Sequence, residues 1–218
     1  INSRNGDVYV IDWNADGQKD KIIVHSASGV YTTEWEASTG ANPQGIAVDW
    51  NQNVYWSVPV GGLDRFIKKT NSNGTQTVNF GNNSSIGGAG WDRFDVNYYN
   101  EDILIIDALN MIYKSDEEGN HLSSESFSLD SVDCIGSLNP VVNKNKQYFD
   151  VASDSDYNIY VTVYNAGDQG CVLKFDRFGN FKWKVGEEGL VSNNFYKKLM
   201  GPTSIDTDSF GNVYVISS

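Results

Sequence analysis

Apolar and polar residues alternate along this chain in short bursts, and the bursts recur. Five begin with Asp or Asn and run into β-branched and aromatic residues: "DVYVID" at 7–12, "NVYWSV" at 53–58, "DILIID" at 102–107, "NIYVTV" at 158–163 and "NVYVIS" at 212–217. Short runs of this composition predict strands. Their starts are spaced 46 to 56 residues apart, a period that marks repeat architectures.

The stretches between them repeat as well. "KIIVHSASGVYTTEW", "FIKKTNSNGTQTVNF", "MIYKSDEEGNHLSSESF" and "VLKFDRFGNFKWKV" each read as strand, turn, strand, with Gly29, Gly74, Gly119 and Gly179 at the turns. Upstream, "GIAVDWNQ", "RFDVNYYNE", "YFDVASDSDY" and "TSIDTDSFG" precede four of the five first-named strands. Each unit is thus expected to be a four-stranded antiparallel meander, with strands a to d. No long stripe of helical period competes; "NFYKKLMG" at 194–201 allows one helical turn. A lone meander cannot bury both faces, so such units stack. The expected fold is all-β: a single β-propeller domain over residues 1–218, built from four-stranded antiparallel blades. Three complete blades lie between a first unit entered at strand b and a last one left at strand b. That makes five blades, or six, with incomplete blades at the termini. Such a chain is either part of a larger ring or a subunit whose half-blades self-associate through unpaired edges.

"GIAVDWNQNVYWS", "FDVASDSDYNIYVTV" and "SIDTDSFGNVYVIS" resemble NHL-type and SBBP-type β-propeller repeats, whose pattern is apolar-Asp-x-x-Gly-Asn-apolar-Tyr-Val. "DILIIDALN" departs from it, lacking both the Gly-Asn turn and the Tyr. The resemblance implies a fold and no particular activity.

Charge narrows the partners. The 28 acidic against 16 basic residues give a net charge of −12, and the only basic knots are Lys68-Lys69 and Lys197-Lys198. A nucleic-acid surface needs clustered cations, so that partner is not expected. Cations and neutral polar ligands such as sugars stay open. No apolar run approaches the ~20 residues of a membrane span. Cys134 and Cys171 are a candidate disulfide, worth roughly 3–4 kcal/mol in the loop-entropy account, and the expected setting is extracellular or the cell surface.

"DWNADGQKD", residues 12–20, carries the most specific chemistry. Side-chain oxygens of Asp12, Asn14, Asp16 and Asp20 fall at relative positions 1, 3, 5 and 9, Gly17 is at 6, and Gln18 offers its backbone carbonyl at 7. Those are the first nine positions of an EF-hand-like loop, in which alternate residues converge on one ion. Ile23 stands where the bidentate Glu would be. "DWNADGQKDKIIV" resembles instead the calcium loop of FG-GAP propeller repeats, which implies a structural Ca2+. FG-GAP repeats place that loop between strands a and b, whereas alignment with the other four units here places it between b and c.

Other candidates are fewer. Trp91, Trp50, Tyr98 and Tyr99 lie in loops, where an exposed ring can stack on a sugar. Asp49, Asp154 and Asp208 each precede a strand b by a fixed interval. They accept backbone N–H groups in their own turns, or else converge on a central channel. His25 and His121 are too isolated to build a Ser-His-Asp set or a histidine metal site. Long connections at 81–93, 128–147 and 186–202 are expected to cluster at one rim and to meet a partner there. The leading expectation is a non-enzymatic module that binds a glycan or a protein. One alternative is a divalent-metal-dependent hydrolase or lactonase using strand-a acids; another is a self-assembling surface or filament subunit.

Overall fold

In a computed structural model of the chain, the described residues are 1–2, 4–12, 20–38, 45–59, 65–75, 78–80, 93–98, 100–106, 110–129, 132, 146–165, 169–186, 199 and 201–217. Strands β1 (Val8–Asp12), β2 (Asp20–His25) and β3 (Tyr31–Ser38) make the first sheet. The second holds β4 (Ile46–Val48), β5 (Val54–Pro59), β6 (Arg65–Thr70) and β7 (Val78–Phe80). The third holds β8 (Arg93–Val96), β9 (Ile103–Ile106), β10 (Met111–Ser115) and β11 (Phe127–Ser128). The fourth is β12 (Lys146–Ser153), β13 (Ile159–Asn165), β14 (Gln169–Phe175) and β15 (Phe181–Val185), and the fifth is β16 (Pro202–Thr207) with β17 (Val213–Ser217). Every sheet is an antiparallel meander in chain order. The five recurring segments led by Asp or Asn supply β1, β5, β9, β13 and β17, the b strands.

Strands β4, β8, β12 and β16 lie side by side, so the sheets fan out from a line of inner a strands. This places each b strand between two neighbouring sheets, and the alternation of its side chains divides them. In β5, Val54, Trp56 and Val58 pack with Tyr9, Ile22, Val24 and Ala37 of the first sheet. Tyr55 points the other way, onto Phe94, Val96, Ile103 and Ile105 of the third. Because both faces are covered, all four residues of β9 are buried. The largest cluster joins the third and fourth sheets, where Leu104, Ile106, Ile112 and Leu129 meet Val151, Val161, Val163, Leu173 and Phe175. At about 1.5–3 kcal/mol for each large side chain taken from water, these interfaces hold the sheets together.

Two glycines show how closely the blades approach. Gly74 (φ +72°) turns β6 into β7, and a Cβ there would stand 2.5 Å from the ring of Trp35 on β3. Gly179 (φ +81°) turns β14 into β15, and its Cβ would stand 2.4 Å from the ring of Phe127 on β11. In both, the turn of one blade is seated on an aromatic ring from the outer strand of the blade before.

Cys171 is buried in the third interface and disulfide-bonded; Cys134 lies outside the described residues. The stretch at 194–201 contributes a β-contact: Leu199 bridges Gly170, whose N–H donates to the Leu199 carbonyl at 3.0 Å.

Candidate functional site

The a–b turns form one rim, and each is organised by a single polar side chain. Asp154 Oδ1 accepts the N–H groups of Asp156 and Asn158, both at 2.9 Å. Its Oδ2 accepts Asn158 Nδ2 at 2.8 Å and the Tyr160 hydroxyl at 2.7 Å. Asp49 holds Asn53 and Tyr55 the same way, and Asp208 holds Asn212 and Tyr214. The turn reading of these three Asp residues is therefore the one the structure displays. Burial works against the charge of Asp154, but the Asn158 side chain, Tyr160 and two backbone N–H groups prevail and hold its carboxyl below the ordinary range.

In the first and third sheets the turn is one residue longer, and the two side-chain types change places. Asn2 and Asn97 replace the turn Asp, while Asp7 and Asp102 replace the partner Asn; the backbone closes through Asn2 N–H to the Asp7 carbonyl and Asn97 N–H to the Asp102 carbonyl, both at 2.8 Å. A second carboxamide in each such turn, Asn5 or Asn100, donates to the carboxylate of Asp7 or Asp102.

The repeat has a further member that the sequence reading passed over. Lys69 Nζ sits 5.3 Å from the Tyr55 ring centroid, and Lys174 Nζ sits 5.0 Å from that of Tyr160 and 3.9 Å from Asp154 Oδ2. Lys114 is the third. All three stand five residues before a turn glycine, Gly74, Gly119 or Gly179, which is the signal that would have found them.

The third sheet breaks the set. Leu104 occupies the place of the tyrosine, and buried Lys114 donates to Glu125 Oε2 at 3.3 Å and to the Arg177 carbonyl. Between this sheet and the fourth lies a small cleft with room for about one water molecule, with Leu104 and Ile159 on its apolar side and Asn97, Asn100, Asp102 and Lys114 on its polar side.

Two of the aromatic candidates meet on this rim. Trp50 is 46 % exposed, and its ring stands edge-on to Tyr98 with centroids 5.0 Å apart. Arg4 lies over the Trp50 ring at 5.3 Å. These residues come from three successive a–b turns, and hydrogen bonds tie those turns to one another and to the next: Asn5 donates to the Gln52 side chain at 3.5 Å, Asn51 to Glu101, and Asn97 to the Asp154 carbonyl at 3.2 Å. Trp91 and Tyr99 lie outside the described residues.

Of the loop at 12–20, Asp12 ends β1 and is exposed, Asp20 begins β2 and is buried, and Asp12 pairs with Lys21 across the hairpin. Asn14, Asp16 and Gln18 lie outside the described residues. The turn built on Asn2 precedes β1 as the Asp49 turn precedes β5, so the loop joins strands b and c. Among the described residues, no three His, Cys, Asp or Glu side chains gather in a group that could hold a metal ion. His25 and His121 act locally, the first 3.3 Å from the Gly29 carbonyl and the second 3.0 Å from Ser126 Oγ.

Two acids on the inner strands, Asp95 and Asp150, bind the neighbouring strand. Asp95 Oδ2 accepts both the N–H and the hydroxyl of Ser153 at 2.9 Å, and Asp150 Oδ2 accepts the Ser204 hydroxyl at 2.7 Å and the Ile205 N–H at 3.1 Å. Each staples one a strand to the next. Burial pushes the Asp95 carboxyl up to about 7 against the hydrogen bond from Ser153, and Asp206 and Asp150 add to it.

By fold the chain is a β-propeller. No protein-family model matches its sequence, and no curated protein matches it. Solved structures match along almost its whole length. A Bacteroides thetaiotaomicron protein of unknown function is 15 % identical, with a TM-score of 0.65 over 98 % of this chain and 54 % of its own. Virginiamycin B lyase from Staphylococcus aureus is 11 % identical, with a TM-score of 0.55 over 90 % of this chain and 56 % of its own. The Myceliophteria thermophila Cps50 (Swd1) β-propeller domain is 10 % identical, with a TM-score of 0.56 over 98 % of this chain and 63 % of its own. At such identities the likeness shows the fold alone. The chain spans between about half and two thirds of these proteins' lengths.

Proposed function

We propose that this propeller is an extracellular recognition module that binds a glycan on the rim of its a–b turns. The observation that carries the reading is the platform of Arg4, Trp50 and Tyr98, assembled from three blades and held by turn-to-turn hydrogen bonds. A half-exposed indole, fixed in place by a neighbouring ring and a cation, offers apolar area for a sugar face at little entropic cost. The disulfide at Cys171 suits an oxidising compartment. Trp50→Ala should weaken glycan binding at least tenfold, read as retention on a glycan array followed by titration of the best binder. An array that returns nothing, or binding indifferent to the substitution, overturns the reading.

A protein ligand is the second reading. Phe178 and Phe210, on turns at the same end of the fourth and fifth sheets, are 64 % and 88 % exposed, and large exposed apolar groups on one rim suit a protein surface. Binding to a protein that survives Trp50→Ala but falls with Phe178→Ser and Phe210→Ser would favour it.

Calcium belongs to the same proposal as a structural ion. Asp12 and Asp20 stand at the mouth of the β1–β2 hairpin, and Asn14, Asp16 and Gln18 on the connection between them would complete an oxygen donor set of the kind Ca2+ takes. An ion that binds only the folded chain stabilises it by about 2.7 kcal/mol at a hundredfold excess over Kd. For a chain of this size that raises Tm by roughly 5–10 °C. Identical melting curves in millimolar CaCl2 and in chelator would remove the ion.

A further inference from the structure

We propose that the Arg4–Trp50–Tyr98 platform is proton-gated: a proton shared by Glu101 and Glu117 latches the turns that carry its rings, and its loss releases them. That the gated ligand is a glycan rests on the reading above; the latch does not.

Glu101 ends the turn that carries Tyr98, and its N–H closes that turn on the Asn97 carbonyl at 2.9 Å. Its Oε1 accepts the side-chain amide of Asn51, the neighbour of Trp50 in sequence. One carboxyl therefore joins the turns of both rings. Its Oε2 is buried, and among the described residues no N–H or O–H reaches it. Lys69 Nζ stands 4.0 Å away, beyond hydrogen-bond reach. The other partner of Glu101 is a second carboxyl, that of Glu117 on the c–d turn of the same sheet, at hydrogen-bonding distance. Ionised carboxylates only accept and repel each other, so the pair holds together through one shared proton.

The surrounding charges decide which member carries it. Lys69 on β6 lies 3.3 Å from Glu117 Oε2 and donates to the Glu117 carbonyl at 3.5 Å. That keeps Glu117 the ionised member, although Asp116 beside it on the turn works the other way. From the second sheet, Asp49 and Tyr55 face Glu101, and the Tyr55 hydroxyl is already given to Asp49 at 2.9 Å. Burial first, then the bond to Glu117 and the charge of Asp49, raise the Glu101 carboxyl to about 7 against the pull of Lys69. Glu117 is lowered by that same bond and by Lys69.

Below neutrality Glu101 thus donates to Glu117 while it accepts from Asn51. Above it the proton passes to water and leaves a buried anion against a second one, with one lysine between them. Glu117 is about half exposed and is the member that can swing outward. The Tyr98 turn then loses its tie to the c–d turn. Linkage sets the sign: a ligand that prefers the latched platform binds more weakly as pH climbs through 7, and its binding raises the Glu101 titration in return. One proton limits the change to about tenfold per pH unit.

Two measurements test the latch and its consequence. In the ligand-free protein, the indole N–H resonance of Trp50, assigned by its loss in Trp50→Phe, should shift between pH 5 and 9 with a midpoint near 7. Glu101→Gln keeps an oxygen for Asn51 and donates to Glu117 at every pH, so the shift should vanish. Glu117→Gln, on the more exposed turn, bridges without a titrating proton and should silence it too, which covers a Glu101 variant that circular dichroism shows unfolded. Affinity for the best glycan of the array should fall at least threefold from pH 6 to pH 8 in the wild type and stay level in either variant. A Trp50 resonance indifferent to pH, or one that titrates alike in wild type and variants, overturns the latch. If the resonance titrates as expected but no sugar binds, the glycan reading falls and the latch stands. If sugar binds equally at both pH values despite that titration, the gating falls and the glycan reading stands.

Discussion

Replacing Asp154 by alanine lowers the midpoint of thermal unfolding by about 10 °C. The carboxylate is buried and accepts five hydrogen bonds, two from its own turn's backbone, two from the Asn158 side-chain amide, which reaches both oxygens, and one from Tyr160, with Lys174 beside it. Hydrogen bonds to a charged group are worth about 1.5–3 kcal/mol each, and orphaned buried partners add their own penalty. Alanine would strand the Tyr160 hydroxyl and leave Lys174 without its nearest carboxylate. A loss of about 3 kcal/mol, at 2–4 °C per kcal/mol for a domain of this size, gives the stated shift. Asp208→Ala breaks an equivalent but exposed turn and should cost clearly less. Calorimetry on both variants decides the matter; equal, small shifts would mean that the turns close without their carboxylates.

The second large effect is one of pH. Stability should fall as pH rises from 5 to 8, and Asp95→Asn should flatten that fall. In the folded chain the Asp95 carboxyl, pushed up by burial and by Asp206 and Asp150 on the neighbouring inner strands, titrates near 7; unfolded, it titrates near 3.9. Between those values the folded state holds a proton that the unfolded state has released. Its contribution is therefore complete below pH ~4 and lost as pH climbs through 7, at up to ~1.4 kcal/mol per pH unit. Asn keeps an oxygen to accept from Ser153 and has no proton to lose. Glu101 moves in the same direction, raised to about 7 by burial first and then by Glu117 and Asp49, so part of the slope should survive in the variant. Asp154 and Asp176, both lowered, act with the opposite sign and lose their contribution only under acid. Denaturant titrations from pH 4 to 9 give the slopes directly, and identical slopes for wild type and Asp95→Asn would refute the assignment.

The strands and turns were legible because each is written within a few residues. Asp49-x3-Asn53-x-Tyr55 and its two copies spell a turn and the first residues of the strand after it. The alternating sides of β5 follow from period two alone. What lay hidden joins residues from different blades. Asp95 and Ser153 are 58 positions apart, and nothing around either residue announces the other. The cleft was half visible: "DILIIDALN" was the odd repeat, yet an absent tyrosine becomes an opening only once Lys114 and Arg177 are seen across it. Trp50 and Tyr98 could be named one by one as loop aromatics. Their meeting depended on how successive turns are tied, which the sequence does not spell.

The rings under Gly74 and Gly179 bear on how such a chain can be recombined. Because these two turn glycines are each fitted to an aromatic from the preceding blade, the heritable module at those joints is staggered relative to the sheet. Grafts between propellers that cut at blade boundaries would part Phe127 from Gly179 and Trp35 from Gly74. Crossovers placed inside a blade, between its strands b and c, would leave that matched pair together on one side of the join only if the donor segment ran on through the next c–d turn. Swaps of that length should fold more often than swaps of a single blade.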